Sequence, residues 1–296
     1  MKKIGIVIKP SKIDDIHNFL TNLIRWLSRR NKTIVFQKHE ESRLQKHLSE
    51  KTFKLIALEE EDSFFKNSDL IISLGGDGTL LGVARNAPNK VPVFGINLGR
   101  LGFITEFSKV EFYEKLNTIL LGKYESFNKK LFQIEVKHKD GTSTKEVFFN
   151  DAVISKNEIA RMFTLEVDVD GEHAFNLAGD GLIISSTYGS TAYSLAAGGP
   201  IVHPDVKALI ITPVCPHSLT HRPMVLPDSV EVEISVMEKT NTVHVTLDGQ
   251  VDIPLHYHDK IVIRKYSKKS VTMIKNPDRT YFHTLKEKFI HGRRSI

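Results

Sequence analysis

The chain has 296 residues, 41% hydrophobic and 26% charged, with a formal net charge of +6. That balance has room for two folded cores and excludes a fibrous or intrinsically disordered chain. The single cysteine, Cys215, excludes an internal disulfide framework, and the apolar runs fall far short of the roughly 20 residues a bilayer span needs, so a cytoplasmic protein with no membrane partner is expected.

Residues 1–10 hold two lysines and a short apolar run, which predicts no signal peptide. The β-branched run over 4–8 predicts a strand, and Ile13, Ile16, Leu20, Leu23, Ile24 and Leu27 then recur at helical spacing. A second strand is predicted over 33–36, a helix over 42–51, and a third strand over 69–74 that ends in glycines. A strand over 91–96 and a helix over 110–121 follow. Strands alternating with helices predict an α/β, Rossmann-like domain over 1–125, with a parallel sheet and ligands at the carboxyl ends of its strands. From about Phe127 the period changes to two, over 132–137, 146–149, 165–169, 230–236 and 243–247, which predicts an all-β sandwich over 126–265. Asp140-Gly141 and Asp170-Gly171 are placed for tight hairpins, and Asp248-Gly249 for a third hairpin or a loop with a task of its own. An amphipathic tail over 281–294 predicts a C-terminal segment, 266–296, that packs back on the first domain.

The third predicted strand runs into Gly75-Gly76-Asp77-Gly78-Thr79 and then a helix-compatible stretch over 80–86. Glycines let the backbone approach a phosphate closely, and the following helix terminus adds positive potential. The P-loop lysine and the third glycine of the dinucleotide fingerprint are both missing. A plain turn capped by Asp77 is the bland alternative. A carboxylate among phosphate-binding amides would repel the ligand unless it ligates magnesium or accepts the proton of an attacking hydroxyl.

Four segments stand out in order. The first is Gly75 to Thr79. The second is Gly95-Ile96-Asn97, Gly99 and Leu101-Gly102-Phe103-Ile104-Thr105; the third is Phe149-Asn150-Asp151-Ala152-Val153. The fourth begins at Asp180-Gly181-Leu182 and continues through Gly189-Ser190-Thr191-Ala192-Tyr193-Ser194-Leu195-Ala196 to Pro200. Together they resemble the NAD kinases, the first loop being shared more loosely with diacylglycerol and sphingosine kinases and phosphofructokinase. The resemblance implies transfer of the ATP γ-phosphoryl group to the 2′-hydroxyl of the adenosine ribose of NAD, forming NADP. It implies that Asp77 is the base or orienting carboxylate, and that Gly75, Gly76, Gly78 and Thr79 approach the ATP phosphates. The implied NAD contacts are Asp77, Gly78, Phe103, Asn150, Asp151, Asp180, the run of Thr191, Ala192, Tyr193, Ser194, Leu195 and Ala196, and Gln250. Mg2+ or another divalent cation as cofactor, and a homodimer or homotetramer, are implied as well.

The chain departs from the family at Asp151, where many members carry glutamate, and at Ala178, Thr187 and Tyr188. His203, Cys215, His217 and His221 could suggest zinc, but Pro213, Pro216 and Pro223 oppose the helix that would align the histidines, so no zinc-type site is expected. Arg100 and Arg222 are the basic candidates for the triphosphate. The basic pairs Arg29-Arg30, Arg264-Lys265, Lys268-Lys269 and Arg293-Arg294 are short and scattered, so no nucleic acid is expected as a partner. A lipid kinase would share only the glycine loop, and a non-catalytic NAD or NADP sensor would be expected to lose Asp77.

Overall fold

The computed structural model describes residues 1–10, 16–99, 102–156, 162–237 and 243–292. Ile13, Arg100, Leu101 and the Arg293-Arg294 pair, all singled out above, lie outside the described residues. The chain forms two compact units, one of Met1–Lys129 with Ser270–Ile296, the other of Lys130–Lys269.

The first unit is built on a parallel sheet whose strands lie side by side as Ile56–Glu59, Thr33–Gln37, Lys3–Ile8, Leu70–Gly75 and Pro92–Asn97. The chain winds outward one way from Lys3–Ile8 and then returns to its other side with Leu70–Gly75, so the order reverses between these two strands. Such a reversal opens a crevice at the carboxyl ends of the strands, and the glycine loop leaves Leu70–Gly75 at that end. Leu70–Gly75 and Pro92–Asn97 are buried at every position, as central strands covered on both faces must be. The helix Ile16–Ser28 buries Ile16, Phe19, Leu20, Leu23, Ile24 and Leu27, one apolar stripe laid on the sheet. Each fully buried leucine or isoleucine there contributes about 1.5–3 kcal/mol.

Two local expectations need correction. The helix over 42–51 is divided into Glu41–His47 and Glu50–Phe53, because Leu48 is extended (φ −116°, ψ 141°) and Ser49 starts a new helix, its hydroxyl accepting the Thr52 amide at 3.3 Å. The strand Ile56–Glu59 and helix Glu61–Asn67 had no counterpart in the sequence reading. Four residues at a sheet edge, only partly buried, carry too few apolar positions to show a period. Leu70–Gly75 is therefore the fourth strand of the chain. The C-terminal part returns to this unit: Thr272 and Met273 pair in parallel with Pro92 and Val93, and Asn276 Nδ2 donates to the Glu106 carbonyl at 3.1 Å. Lys115 forms an ion pair with Asp278 ahead of the final helix, Tyr281–Gly292.

The second unit is antiparallel. One sheet runs Met224–Pro227, Ala208–Val214, Gly181–Ser186, Asp151–Lys156, Val243–Leu247, Val251–Leu255. The other includes Glu172–Gly179, Phe163–Val169, Val232–Val236 and the start of Lys260–Ile274, with Ser126–Lys137 paired to Ser143–Phe148. Ile154, Leu182, Ile184 and Val245 from the first sheet share a core with Leu165, Val167, Ile234 and Ile261 from the second. Facing sheets with one apolar core make the expected sandwich. Gly181–Ser186 and Ala208–Val214 escaped the period-two search because both faces of each strand are buried almost throughout, which removes the alternation.

Asp170 and Gly171 both take positive φ (51° and 81°) between Val169 and Glu172, the geometry of a two-residue hairpin. At Asp140-Gly141 only the glycine does so, at 88°. No helix among the described residues is long and apolar enough to cross a membrane.

Candidate active site

In the first unit, Gly76 is the residue before the helix Asp77–Asn86, and Asp77 opens that helix. Asp77 does not cap it. Its carboxylate reaches away to the chain at 103–105, where Oδ2 accepts the Phe103 amide at 2.8 Å and Oδ1 accepts the Ile104 amide at 3.2 Å, the Thr105 amide at 2.9 Å and the Thr105 hydroxyl at 2.7 Å. The bland reading of the loop as a capped turn is thereby corrected: the carboxylate is spent on a neighbouring segment and the helix start is left to the backbone. The glycines divide the labour around it. A Cβ on Gly75 would lie 2.1 Å from the Thr79 hydroxyl, and one on Gly102 would lie 1.8 Å from Asp77 Oδ1, whereas one on Gly76 would meet nothing within 4 Å. Gly75 and Gly102 are packing requirements, and Gly76 keeps the backbone in front of the loop bare.

Phe103 is half-buried, and Lys288 of the final helix lies 5.6 Å from its ring centre, within cation–π reach. Gly78 is exposed and Thr79 partly so.

In the second unit, Asn150 and Asp151 stand at the start of Asp151–Lys156, both buried. Their placement comes from Asp248, in the pair expected to form a third hairpin or a loop with a task of its own. Asp248, at φ 51° in the hairpin between Val243–Leu247 and Val251–Leu255, aims its carboxylate at three successive amides: Phe149 at 3.1 Å, Asn150 at 2.7 Å and Asp151 at 3.3 Å. Asp248-Gly249 is therefore both the hairpin and the working loop that were posed as alternatives. Burial, and then the Asp248 carboxylate, push the Asp151 carboxyl up to about 7. The Asn150 side-chain oxygen is buried and has no hydrogen-bond partner among the described residues, a costly arrangement unless a ligand completes it.

The small-residue loop lies against this pair. The Ser186 hydroxyl donates to the Phe149 carbonyl at 2.6 Å and accepts the amides of Tyr188 and Gly189, and the Tyr188 ring is 5.0 Å from that of Phe149. Gly189 passes so close to Asn150 that a Cβ there would lie 2.2 Å from the Asn150 carbonyl oxygen. Tyr193 is 48% exposed, whereas Ser194 is fully buried with its hydroxyl 2.8 Å from that of Thr212. The Thr191 hydroxyl donates to the Tyr188 carbonyl, and Ala192, Leu195 and Ala196 are partly or fully exposed along the same turn. Asp180 is exposed between Glu172–Gly179 and Gly181–Ser186, and Gln250 is exposed on the Asp248 hairpin. The Arg222 guanidinium donates to the carbonyls of Leu219 and His221 in its own loop. Arg100, the other basic candidate, lies outside the described residues. Thr105 and Asn97 carry no assigned task in the sequence although both sit inside quoted segments, and the partners of Asp248 are equally hidden, because such bonds cannot be read from spacing.

A carboxylate set among glycines at a helix start, at the carboxyl ends of parallel strands, has the chemistry of a phosphotransferase acting on a hydroxyl. The ATP-NAD kinase N-terminal domain family matches residues 4–124, and the ATP-NAD kinase C-terminal domain family matches residues 149–276. An NAD kinase of Magnetococcus marinus is 37% identical over 289 residues, covering 97% of this chain and 93% of that one. Among solved structures, yeast NADH kinase complexed with NADH aligns with a TM-score of 0.85 at 24% identity, covering 100% of this chain and 89% of that chain. An NAD kinase from Archaeoglobus fulgidus in complex with ATP aligns with a TM-score of 0.68 at 23% identity, covering 97% of this chain and 98% of that chain. The chain belongs to the ATP-NAD kinase family, and its activity is the ATP-dependent phosphorylation of NAD to NADP.

Proposed function

We propose that Asp77 accepts the proton of the adenosine-ribose 2′-hydroxyl as that oxygen attacks the γ-phosphorus of ATP, whose bond to the β,γ-bridging oxygen breaks to release ADP. The observation that carries this reading is the Asp77 carboxylate, which among the described residues accepts four hydrogen bonds, three at Oδ1 and one at Oδ2, so that Oδ2 is the less occupied oxygen. An alcohol is a weak nucleophile until its proton is accepted, and positioned bases contribute about 10²- to 10⁴-fold. Bare backbone at Gly76, with Gly75, Gly78 and Thr79, suits the phosphates at the helix start.

Asn150 and Asp151 take the ribose hydroxyls of NAD. The unpartnered Asn150 oxygen is an acceptor awaiting a hydroxyl donor, and Asp151 in its protonated form can donate as well as accept. Asp180, Gln250, Phe103 and the run Thr191 to Ala196 complete the dinucleotide contacts, with Tyr193 offering an exposed ring. A divalent cation such as Mg2+ fits as a passenger of the triphosphate rather than as a ligand of Asp77, since Asp77 Oδ1 is filled by three donors and Oδ2 is left to the hydroxyl. When bound, such an ion neutralises phosphate charge. The protein works in the cytoplasm as a homodimer or homotetramer; exposed Leu219, Val206 and Val225 in the second unit supply apolar surface for self-association, and sedimentation as a monomer under assay conditions would remove that part.

The test is an assay of the purified protein with NAD, ATP and magnesium, reading NADP through an NADP-specific dehydrogenase, with Asp77→Asn in parallel. NADP from the parent and a loss of about 10²-fold or more in the variant are expected. Equal turnover from both would remove Asp77 as the base while leaving the activity in place.

A further inference from the structure

The Thr105 hydroxyl has two partners, Asn97 Nδ2 at 2.9 Å and Asp77 Oδ1 at 2.7 Å. The Asn97 amide is oriented by its other end, because Asn97 Oδ1 accepts the Gly99 amide at 2.8 Å, so its nitrogen must face Thr105. An amide nitrogen only donates, and a hydroxyl has one proton, so that proton goes to Asp77. The direction of the whole chain, Asn97 to Thr105 to Asp77, is thus set by covalent chemistry. Thr105 is 1% exposed and Asn97 6%, which excludes solvent as a competing partner. On the far side, Glu106 is tied down in turn, its Oε2 accepting the Asn276 amide at 2.8 Å.

The consequence is an asymmetric carboxylate. Among the described residues three donors converge on Oδ1 and one on Oδ2, so Oδ2 keeps a lone pair that a substrate hydroxyl can use. We infer that Thr105, oriented by Asn97, is a positioning residue that fixes the rotation of Asp77 and presents Oδ2 to the acceptor hydroxyl. The inference rests on the reading of Asp77 as the catalytic carboxylate.

Steady-state kinetics of Thr105→Val, Thr105→Ser, Asn97→Ala and Asp77→Asn, all in the full chain, separate the two. Valine keeps the shape and removes the hydroxyl, so Thr105→Val is expected to lower kcat about 10- to 100-fold, the worth of one hydrogen bond to a charged group, with KM for NAD and ATP moved less than about threefold. Thr105→Ser, which restores the hydroxyl, is expected within about threefold of the parent kcat. Asn97→Ala leaves the 102–105 segment untouched and frees the hydroxyl to rotate, giving a smaller kcat loss, about tenfold, even if Thr105→Val folds poorly. Parent-like kcat in Thr105→Val and Asn97→Ala beside an inactive Asp77→Asn overturns the inference alone, as does an equal fall in the valine and serine variants. An active Asp77→Asn overturns the reading beneath it.

Discussion

Asp77 in the first unit and Asp151 in the second are aspartates placed at the ends of strands, yet the chain treats their carboxyl groups in opposite ways. Asp77 is met by three backbone amides and a hydroxyl, while Asp151 is buried beside Asp248, which has taken three amides for itself, and its carboxyl rises to about 7. Burial and the donors met there together decide what a carboxylate in a fold can do: one surrounded by fixed donors is an oriented acceptor, and one buried without them beside a second carboxylate keeps its proton up to near neutrality. A phosphoryl transfer to a ribose needs both behaviours, an acceptor for the attacking hydroxyl and a group able to hold its neighbours.

The most damaging way to break the comparison is Gly102→Ala. Its methyl would be forced into Asp77 Oδ1 and to 2.4 Å from the Thr105 hydroxyl, so turnover is expected to fall about 100-fold or more, approaching Asp77→Asn. Parent-like kcat would mean that the Asp77 cradle has no bearing on the chemistry. Next comes Asp248→Asn, which leaves one oxygen for three amides. We expect KM for NAD to rise about tenfold with that for ATP little changed, and stability in urea to drop about 1–3 kcal/mol for the buried donors left short. Asn150→Ala removes a single one of the proposed ribose partners, with an expected rise of about fivefold in KM for NAD and a smaller one for ATP; equal changes would withdraw Asn150 from the proposed dinucleotide contacts.

The smallest effect sharpens the Asp151 side. Its folded value of about 7 lies above the ordinary aspartate value of 3.8, so between these pH values the native state keeps a proton that the unfolded chain has released. Stability from this group is therefore greatest below about pH 4, declines as pH rises, and is lowest above about 7. Asp151→Asn imitates the protonated form, and its Tm relative to the parent should improve on going from pH 5 to pH 8. A constant difference across that range would show that Asp151 does not titrate there.

Much of the architecture was legible. The helical stripe of 16–27 and the period-two segments over 132–137 and 165–169 are local signals, repeated often enough to survive without tertiary information. Gly181–Ser186 was not legible, since burial on both faces erases the alternation, nor was Ile56–Glu59, whose four residues at an edge carry no period. Around the candidate site, Asp77 and the Asn150-Asp151 pair could be singled out because each lies in a contiguous motif. Asp248 follows Asn150 by 98 positions and Thr105 follows Asp77 by 28, and no spacing rule joins residues across such separations.

The sequence by itself determined the alternation that makes the first unit α/β, the change of period that makes the second a sandwich, and the chemical identity of the glycine loop, because these depend on near neighbours along the chain. Only the tertiary structure decided which donors each carboxylate would meet. Hydrogen bonds over 2.7–3.2 Å form between atoms brought together by sheet pairing and loop return, and one aspartate became an oriented acceptor and another a buried acid through partners that lie far from them in sequence.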